Sequence, residues 1–359
     1  MKGYIVLENG DVFTGEMAGQ QREVYGEAVF FTGMTGYQEV VTDPSYRGQI
    51  VVFTYPLIGN YGMQDYTDQS NEWQPKAIIV GECSPVGHHH LSYSSLTDVA
   101  DQNDVPILTG VDTRAIVKTI RSEGAMGAVI TTNPDVVDWS NYSSIESVSY
   151  VPDVSTKSIE QYGGGSLHIG LYDFGHKNAM VKELSAFGAK VTVLPYDTPF
   201  DTVKSMQFDG VLFSNGPGDP KQLLEHLDTY KQVAIHHPTF AICLGHQLMA
   251  LAFGADTKKL KFGHRGANQP VIDLQTGKVD MTAQNHGFVV DEQSIDQSSL
   301  VVTHENVNDQ SIEGLKHHEL PIMTVQYHPE ASPGPKDSHP LFHRFFQMIQ
   351  TEKEVTLYA

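Results

Sequence analysis

The sequence predicts an α/β protein in two parts. A C-terminal domain is built on a parallel sheet with an antiparallel extension, and a smaller, mixed, β-rich domain precedes it. Three observations carry that prediction. From Leu167 onward, short apolar runs alternate with helical stretches, which is the pattern of a parallel sheet covered on both faces. Before about residue 150, strand-like runs outnumber helical ones. Between the two, Gly163-Gly164-Gly165 interrupts regular structure, because successive glycines lose the most chain entropy on ordering. The predicted domains are therefore 1–150 and 167–359, joined by a linker over 151–166.

In order along the first domain, Tyr4–Leu7 and Val12–Phe13 flank Asn9-Gly10-Asp11, a hairpin signal. Ala28–Phe31, Gln49–Thr54, Ala77–Val80 and Pro106–Thr109 read as further strands. Asp112 is placed to cap a helix over Thr113–Ser122, stopped at Gly124. The stretches Met34–Glu39, Thr42–Tyr46 and Thr54–Gly62 are dense in turn formers and read as polar loops. His88-His89-His90 reads as a solvated loop, since adjacent residues of an extended chain point to opposite faces and no further ligand lies at suitable spacing.

In the second domain, Leu167–Tyr172, Lys190–Pro195 and Gly210–Ser214 are predicted strands. Asn178–Phe187 and much of Lys221–Ile235 are predicted helices. From Val271 to Gln326 strands follow one another closely, with turns at Thr276-Gly277 and Asn308-Asp309, which predicts the antiparallel extension. A last helix is expected from about His339 to Lys353.

Composition narrows the function. The net charge of −20 argues against nucleic acid or an anionic membrane as partner, because phosphate binding needs clustered Lys and Arg. Only two cysteines occur, Cys83 and Cys243, and no apolar run is long enough for a signal peptide or a membrane span. These features predict a cytoplasmic protein without a disulfide framework. No G-x-x-x-x-G-K-[ST] stretch is present.

The chemistry centres on Thr239-Phe240-Ala241-Ile242-Cys243-Leu244-Gly245-His246-Gln247. An apolar run ends at Cys243 and a helical pattern begins at once, the strand–turn–helix order of a nucleophile elbow. Ala241 and Gly245 are the small residues that such a turn needs two before and two after the nucleophile. A thiol at a helix N-terminus has its pKa lowered to roughly 3.5–7.5. The base must be one of seventeen histidines. His328 stands at the end of the predicted strand Ile322–Tyr327, and Pro329 favours extended backbone there. Residues i and i+2 then share a face, so Glu330 can hold the far ring nitrogen of His328. A Cys243–His328–Glu330 triad results, while Cys83 lacks activating neighbours and reads as structural.

Ile242–Gln247, Gly216-Pro217-Gly218-Asp219-Pro220 and His328-Pro329-Glu330 together resemble the motifs of class I, triad-type glutamine amidotransferases. With its N-terminal half included, the whole chain resembles the small, glutamine-hydrolysing subunits of carbamoyl phosphate synthetases. One departure is Ala241, where that family usually has glycine.

The resemblance implies hydrolysis of L-glutamine to glutamate and ammonia. The ammonia would pass to a large synthetase subunit that makes carbamoyl phosphate from bicarbonate and ATP, for arginine or pyrimidine synthesis. It implies no cofactor or metal in this chain, with ATP, Mg and bicarbonate used by the partner in a heterodimer. It also implies oxyanion donors at Leu244 and Gly218, and glutamine contacts from Ser45, Gly216, Gln247, Asn285, Gly287 and Phe288. The competing readings are the glutaminase of another synthetase such as one making anthranilate, a non-catalytic relative, and a stand-alone cysteine hydrolase. The N-terminal extension, the complete triad and the glutamine-matching residues weigh against them in turn.

Overall fold

The turn at Asn9-Gly10, with Gly10 at φ 94°, folds β1 (Lys2–Leu7) back on β2 (Val12–Ala18) in antiparallel register, Val6 opposite Val12. The computed structural model describes the backbone of residues 1–358 and the side chains of residues 1–354. The chain divides into two units, Met1–Val148 with Lys261–Gly266, and Ser149–Leu260 with Ala267–Ala359.

The first unit continues with β3 (Val24–Phe31), α1 (Tyr37–Thr42), β4 (Gln49–Phe53), β5 (Leu57–Ile58), β6 (Ala77–Ile79), β7 (Glu82–Cys83), α2 (Leu96–Gln102), β8 (Ile107–Thr109), α3 (Thr113–Glu123) and β9 (Met126–Thr131). Strands β1-β2-β8-β6-β4-β3-β9 close a barrel, with β9 returning antiparallel to β1. Alternation along β4 serves both faces. Ile50 and Val52 pack with Ile5, Leu7 and the α3 residues Ile116 and Ile120, while Val51 and Phe53 pack with Val29 and the α1 residues Val40 and Val41. Helix α3 has the predicted ends, with the Asp112 side chain accepting from Ala115 N at 2.9 Å and Gly124 closing it.

Two expectations need correction. The stretches read as polar loops contain α1 and a 3₁₀ turn over Pro44–Tyr46. The N-terminus of α1 has no capping side chain of its own. The Tyr61 hydroxyl accepts from Gly36 N and Tyr37 N at 2.7 and 3.2 Å, while the Tyr61 ring stacks on Tyr37 at 4.1 Å. Residues 151–166, expected as a linker, carry α4 (Val151–Val154) and β10 (Glu160–Gly163), and β10 pairs antiparallel with a sheet strand, Glu160 opposite Val193.

The second unit proceeds through β11 (Leu167–Asp173), α5 (Asn178–Ala186), β12 (Ala189–Pro195), α6 (Phe200–Ser205), β13 (Gly210–Phe213), α7 (Leu227–His236), β14 (Thr239–Ile242) and α8 (Leu244–Ala252). It ends with β15 (Thr257–Asp273), β16 (Val279–Val290), β17 (Leu300–Asn306), β18 (Ile312–His317), β19 (Ile322–Val325) and α9 (Pro340–Tyr358). One sheet runs β10-β12-β11-β13-β14-β19-β18-β17-β15-β16. Strands β12, β11, β13, β14 and β19 are parallel, and β18, β17 and β15 continue antiparallel. The extension therefore begins at Thr257, earlier than expected, since β15 is far longer than its apolar stretch.

Alternate strand residues again bury opposite faces. Leu171, Leu212 and Phe240 pack with α5 and α9, whereas Tyr172, Phe213 and Ala241 pack with α7 and α8. This arrangement brings the carboxyl ends of β11, β13, β14 and β19 together, where sites form in parallel sheets. Among the described residues no helix is long and apolar enough to cross a membrane.

Candidate active site

Cys243 stands between β14 and α8 with φ 56° and ψ −104°, a conformation that costs a non-glycine residue of order 1–3 kcal/mol. Three hydrogen bonds hold it there. Cys243 N donates to Val325 O at 2.9 Å, Gln247 N to Cys243 O at 3.1 Å, and Gly245 N to Ser214 O at 3.0 Å. The close turn explains Gly245, where a Cβ would lie 2.4 Å from Phe213 O. Cys243 is buried, sits at the N-terminus of α8, and its Sγ lies 3.7 Å from the carbonyl of Asn285. Cys83 contrasts with it, its thiol pushed up to about 11 by burial.

The parallel pairing of β14 with β19 sets Ile242 opposite Val325, so His328 follows three residues after the neighbour of the elbow. His328 N donates to Ala283 O at 2.9 Å, and Cys243 touches Asn285 on the same strand. Both residues therefore meet β16, at positions two residues apart, a step of about 7 Å along an extended chain. Nδ1 of His328 lies 2.7 Å from Glu330 Oε1. An ionised carboxylate only accepts, so Nδ1 carries the proton of this contact and Nε2 faces away from the carboxylate. Nε2 has no hydrogen-bond partner among the described residues.

A residue the sequence reading missed completes this centre. Lys177, buried at the N-cap of α5, places Nζ 2.9 Å from Glu330 Oε1 and also donates to Ala331 O. Burial alone would raise the Glu330 carboxyl, but the Lys177 ammonium and the His328 contact outweigh it and hold it down at about 2. The turn that presents Lys177 is fixed by Asp173, whose carboxylate accepts from Gly175 N, His176 N and Thr156 N. Its position at the carboxyl end of β11 was the available signal.

The loop after β13 forms the opposite wall. A Cβ on Gly216 would meet Phe174 O at 2.3 Å and the Leu244 side chain at 2.8 Å, so glycine allows the loop to approach the elbow. Gly218 has φ 92° with open space beside it. Leu244 opens α8, where no side chain among the described residues caps the helix N-terminus. Gln247 donates from Nε2 to Phe288 O at 2.8 Å and to Gln326 Oε1 at 3.0 Å, tying α8 to the segment bearing Asn285, Gly287 and Phe288. His286 is no base, since its ring nitrogens lie 2.9 Å from Phe288 O and Gln284 Oε1. His246 bonds Thr324 Oγ1 at 2.7 Å, and burial pushes it down to about 3, so it is a neutral core residue. Ser45 belongs to the first unit, buried on the 3₁₀ turn, with its N–H donating to the Asp43 carboxylate at 3.0 Å.

Comparison with known proteins adds independent findings. Residues 170–348 match the family described as glutamine amidotransferase class-I, and residues 5–130 match the carbamoyl-phosphate synthase small chain, CPSase domain. The chain is 51% identical over 359 residues to the carbamoyl phosphate synthase arginine-specific small chain of Halalkalibacterium halodurans, covering all of both chains. It is 48% identical over 357 residues to that of Bacillus subtilis, covering 99% of each. To the carbamoyl phosphate synthase small chain of Caldanaerobacter subterraneus it is 44% identical over 359 residues, covering 100% of this chain and 99% of the other.

Proposed function

The chain belongs to the carbamoyl phosphate synthase small-chain family, and from that premise we propose that it hydrolyses L-glutamine through Cys243, His328 and Glu330. The observation that carries the residue assignment is the 2.7 Å contact between His328 Nδ1 and Glu330, which leaves Nε2 as a base at the strand end next to the elbow.

The Cys243 thiolate attacks the side-chain amide carbon of glutamine. The N–H groups of Leu244 and Gly218 receive the oxyanion. Nε2 of His328, which carries the proton taken from the Cys243 thiol, gives it to the departing nitrogen, which leaves as ammonia. Water then gives a proton to His328 and attacks the thioester, and the departing sulfur takes that proton back, releasing glutamate and the thiol. Contacts to the rest of the substrate are assigned to Gly216, Gln247, Asn285, Gly287 and Phe288.

The ammonia goes to a large synthetase subunit that uses bicarbonate, ATP and Mg to make carbamoyl phosphate. Free ammonia is mostly protonated at neutral pH and no longer nucleophilic, so hydrolysis without a consumer wastes glutamine. The chain alone should hydrolyse glutamine slowly and accelerate when the large chain, bicarbonate and ATP are added. A glutaminase assay on both preparations tests this. Full activity in isolation with no response to the large chain would favour a stand-alone hydrolase.

A further inference from the structure

Residues 1–148 hold seven lysines and arginines against nineteen aspartates and glutamates. Three of those seven, Arg22, Arg47 and Lys76, line one cavity of about 300 Å³ in the first unit. They arrive from separate stretches of chain, before β3, after the 3₁₀ turn and before β6. Trp73 forms a wall of the cavity and is itself buried.

Gathering like charges around one cavity is unfavourable unless an anion compensates them. Glu72 lines the same cavity, and around the two arginines the protein supplies little further compensation. Arg22 donates from Nε to Asp104 O at 3.0 Å and makes no other bond among the described residues. Arg47 reaches Glu72 at only 3.7 Å and Gln74 Oε1 at 3.4 Å, both through Nη1. The Glu72 side chain is 72% exposed, so that pair is screened and weak. Two guanidinium groups therefore line the cavity with most of their donors unspent, and a planar fork of N–H groups suits two oxygens of one phosphate or carboxylate. The volume matches that of roughly ten waters, enough for a small metabolite.

We propose that this cavity binds a small oxyanion-bearing metabolite, held by Arg22 and Arg47 with Lys76 at the rim. The site is also linked to the neighbouring turn, because Arg47 N donates to Pro44 O at 3.0 Å and so closes the 3₁₀ turn that carries Ser45.

The experiment is calorimetric titration of the full chain with inorganic pyrophosphate and, separately, with citrate, at constant ionic strength. Saturable binding of at least one is expected, and the preferred probe identifies the group as phosphate or carboxylate. Arg22→Ala and Arg47→Ala should each weaken binding by about tenfold or more, and Arg47→Lys, which keeps the charge and loses the fork, should fall between. Lys118→Ala, on the exposed face of α3, should change nothing. Should Arg47→Ala fail to fold, the exposed Arg22 variant carries the test. Failure of both anions to saturate, or equal weakening by Lys118→Ala, overturns the proposal.

Discussion

Lys177 and His328 share one oxygen of Glu330, approaching Oε1 at 2.9 and 2.7 Å. The carboxylate is thus held from both sides in a buried setting. Removing one partner of a buried pair leaves an uncompensated charge, which costs roughly 3–5 kcal/mol. Lys177→Met should therefore lower thermal stability by that order and slow glutamine hydrolysis, because Glu330 no longer has a fixed position from which to orient His328. Unfolding curves and glutaminase rates on the same preparation check both. An unchanged melting temperature would show that the pair is worth nothing.

Cys243→Ser should abolish glutamine hydrolysis while the assembled synthetase still makes product from added ammonia. In the proposed mechanism the thiolate attacks only glutamine, and the synthetase step does not use it. Measuring product formation with each nitrogen source separates the two activities. Near-normal glutamine-dependent turnover in the serine variant would remove Cys243 from the mechanism.

His328→Asn should be more damaging than Glu330→Gln, since in the proposed mechanism His328 moves protons and Glu330 orients it. The loss for Glu330→Gln remains large, because in the serine triads that set the pattern altering the acid costs about 10⁴-fold. His286→Asn should retain chemistry, as both its ring nitrogens are occupied by loop contacts. Comparative kcat values decide, and an inactive His286 variant beside an active His328 variant would reverse the assignment of the base.

Acid should destabilise the protein through Glu330. Its carboxyl lies at about 2 when folded, below the ordinary value near 4.3, so the folded state favours the ionised form. The stabilisation is fully present above the unfolded value and is lost as pH falls from roughly 4–5 towards 2. Its size is of order 3 kcal/mol. Asp173 is lowered as well and acts in the same direction: burial would raise it, but the His176 pairing and the Thr156 and His176 N–H bonds outweigh that. Denaturant unfolding across pH should show a shallower acid limb for Glu330→Gln than for the unaltered protein.

The elbow should distinguish its two flanking residues. Gly245→Ala would drive a methyl group against Phe213 O, at a cost of roughly 1–3 kcal/mol and the loss of hydrolysis. Ala241→Gly should keep activity and lose roughly 0.5–1 kcal/mol, the entropic cost of glycine in a strand. Rates and melting temperatures of the two variants test the asymmetry.

How much of this was legible in the sequence depended on the range of each interaction. Helix α3 could be read because its cap, Asp112, and its stop, Gly124, are its own chain neighbours. Helix α1 could not, since the hydroxyl that satisfies its first N–H groups comes from Tyr61, remote in sequence. The elbow and the His328–Glu330 pair were visible because their spacing is local. Lys177 was not, because its partner lies more than a hundred residues away and only the sheet brings them together. The glycine run at 163–165 reads as a break in regular structure, yet Gly163 ends β10 and nothing local reports that Glu160–Gly163 finds a place on the edge of the sheet.

The adjacency of β14 and β19 has a consequence for synthesis on the ribosome. Cys243 emerges 85 residues before His328, and the two meet only after the intervening strands β15 to β18 have been set aside and β19 has inserted beside β14. At translation rates of about 5–20 residues per second, that interval lasts roughly 4–17 s. Throughout it the nascent chain carries its thiol without a base, a carboxylate or a finished elbow. A product truncated anywhere before Val325 also lacks the carbonyl that holds Cys243 in its unusual conformation. On the proposed triad, hydrolysis of glutamine therefore begins only when the final segments of the domain are in place, and incomplete chains waste none of the cell's nitrogen.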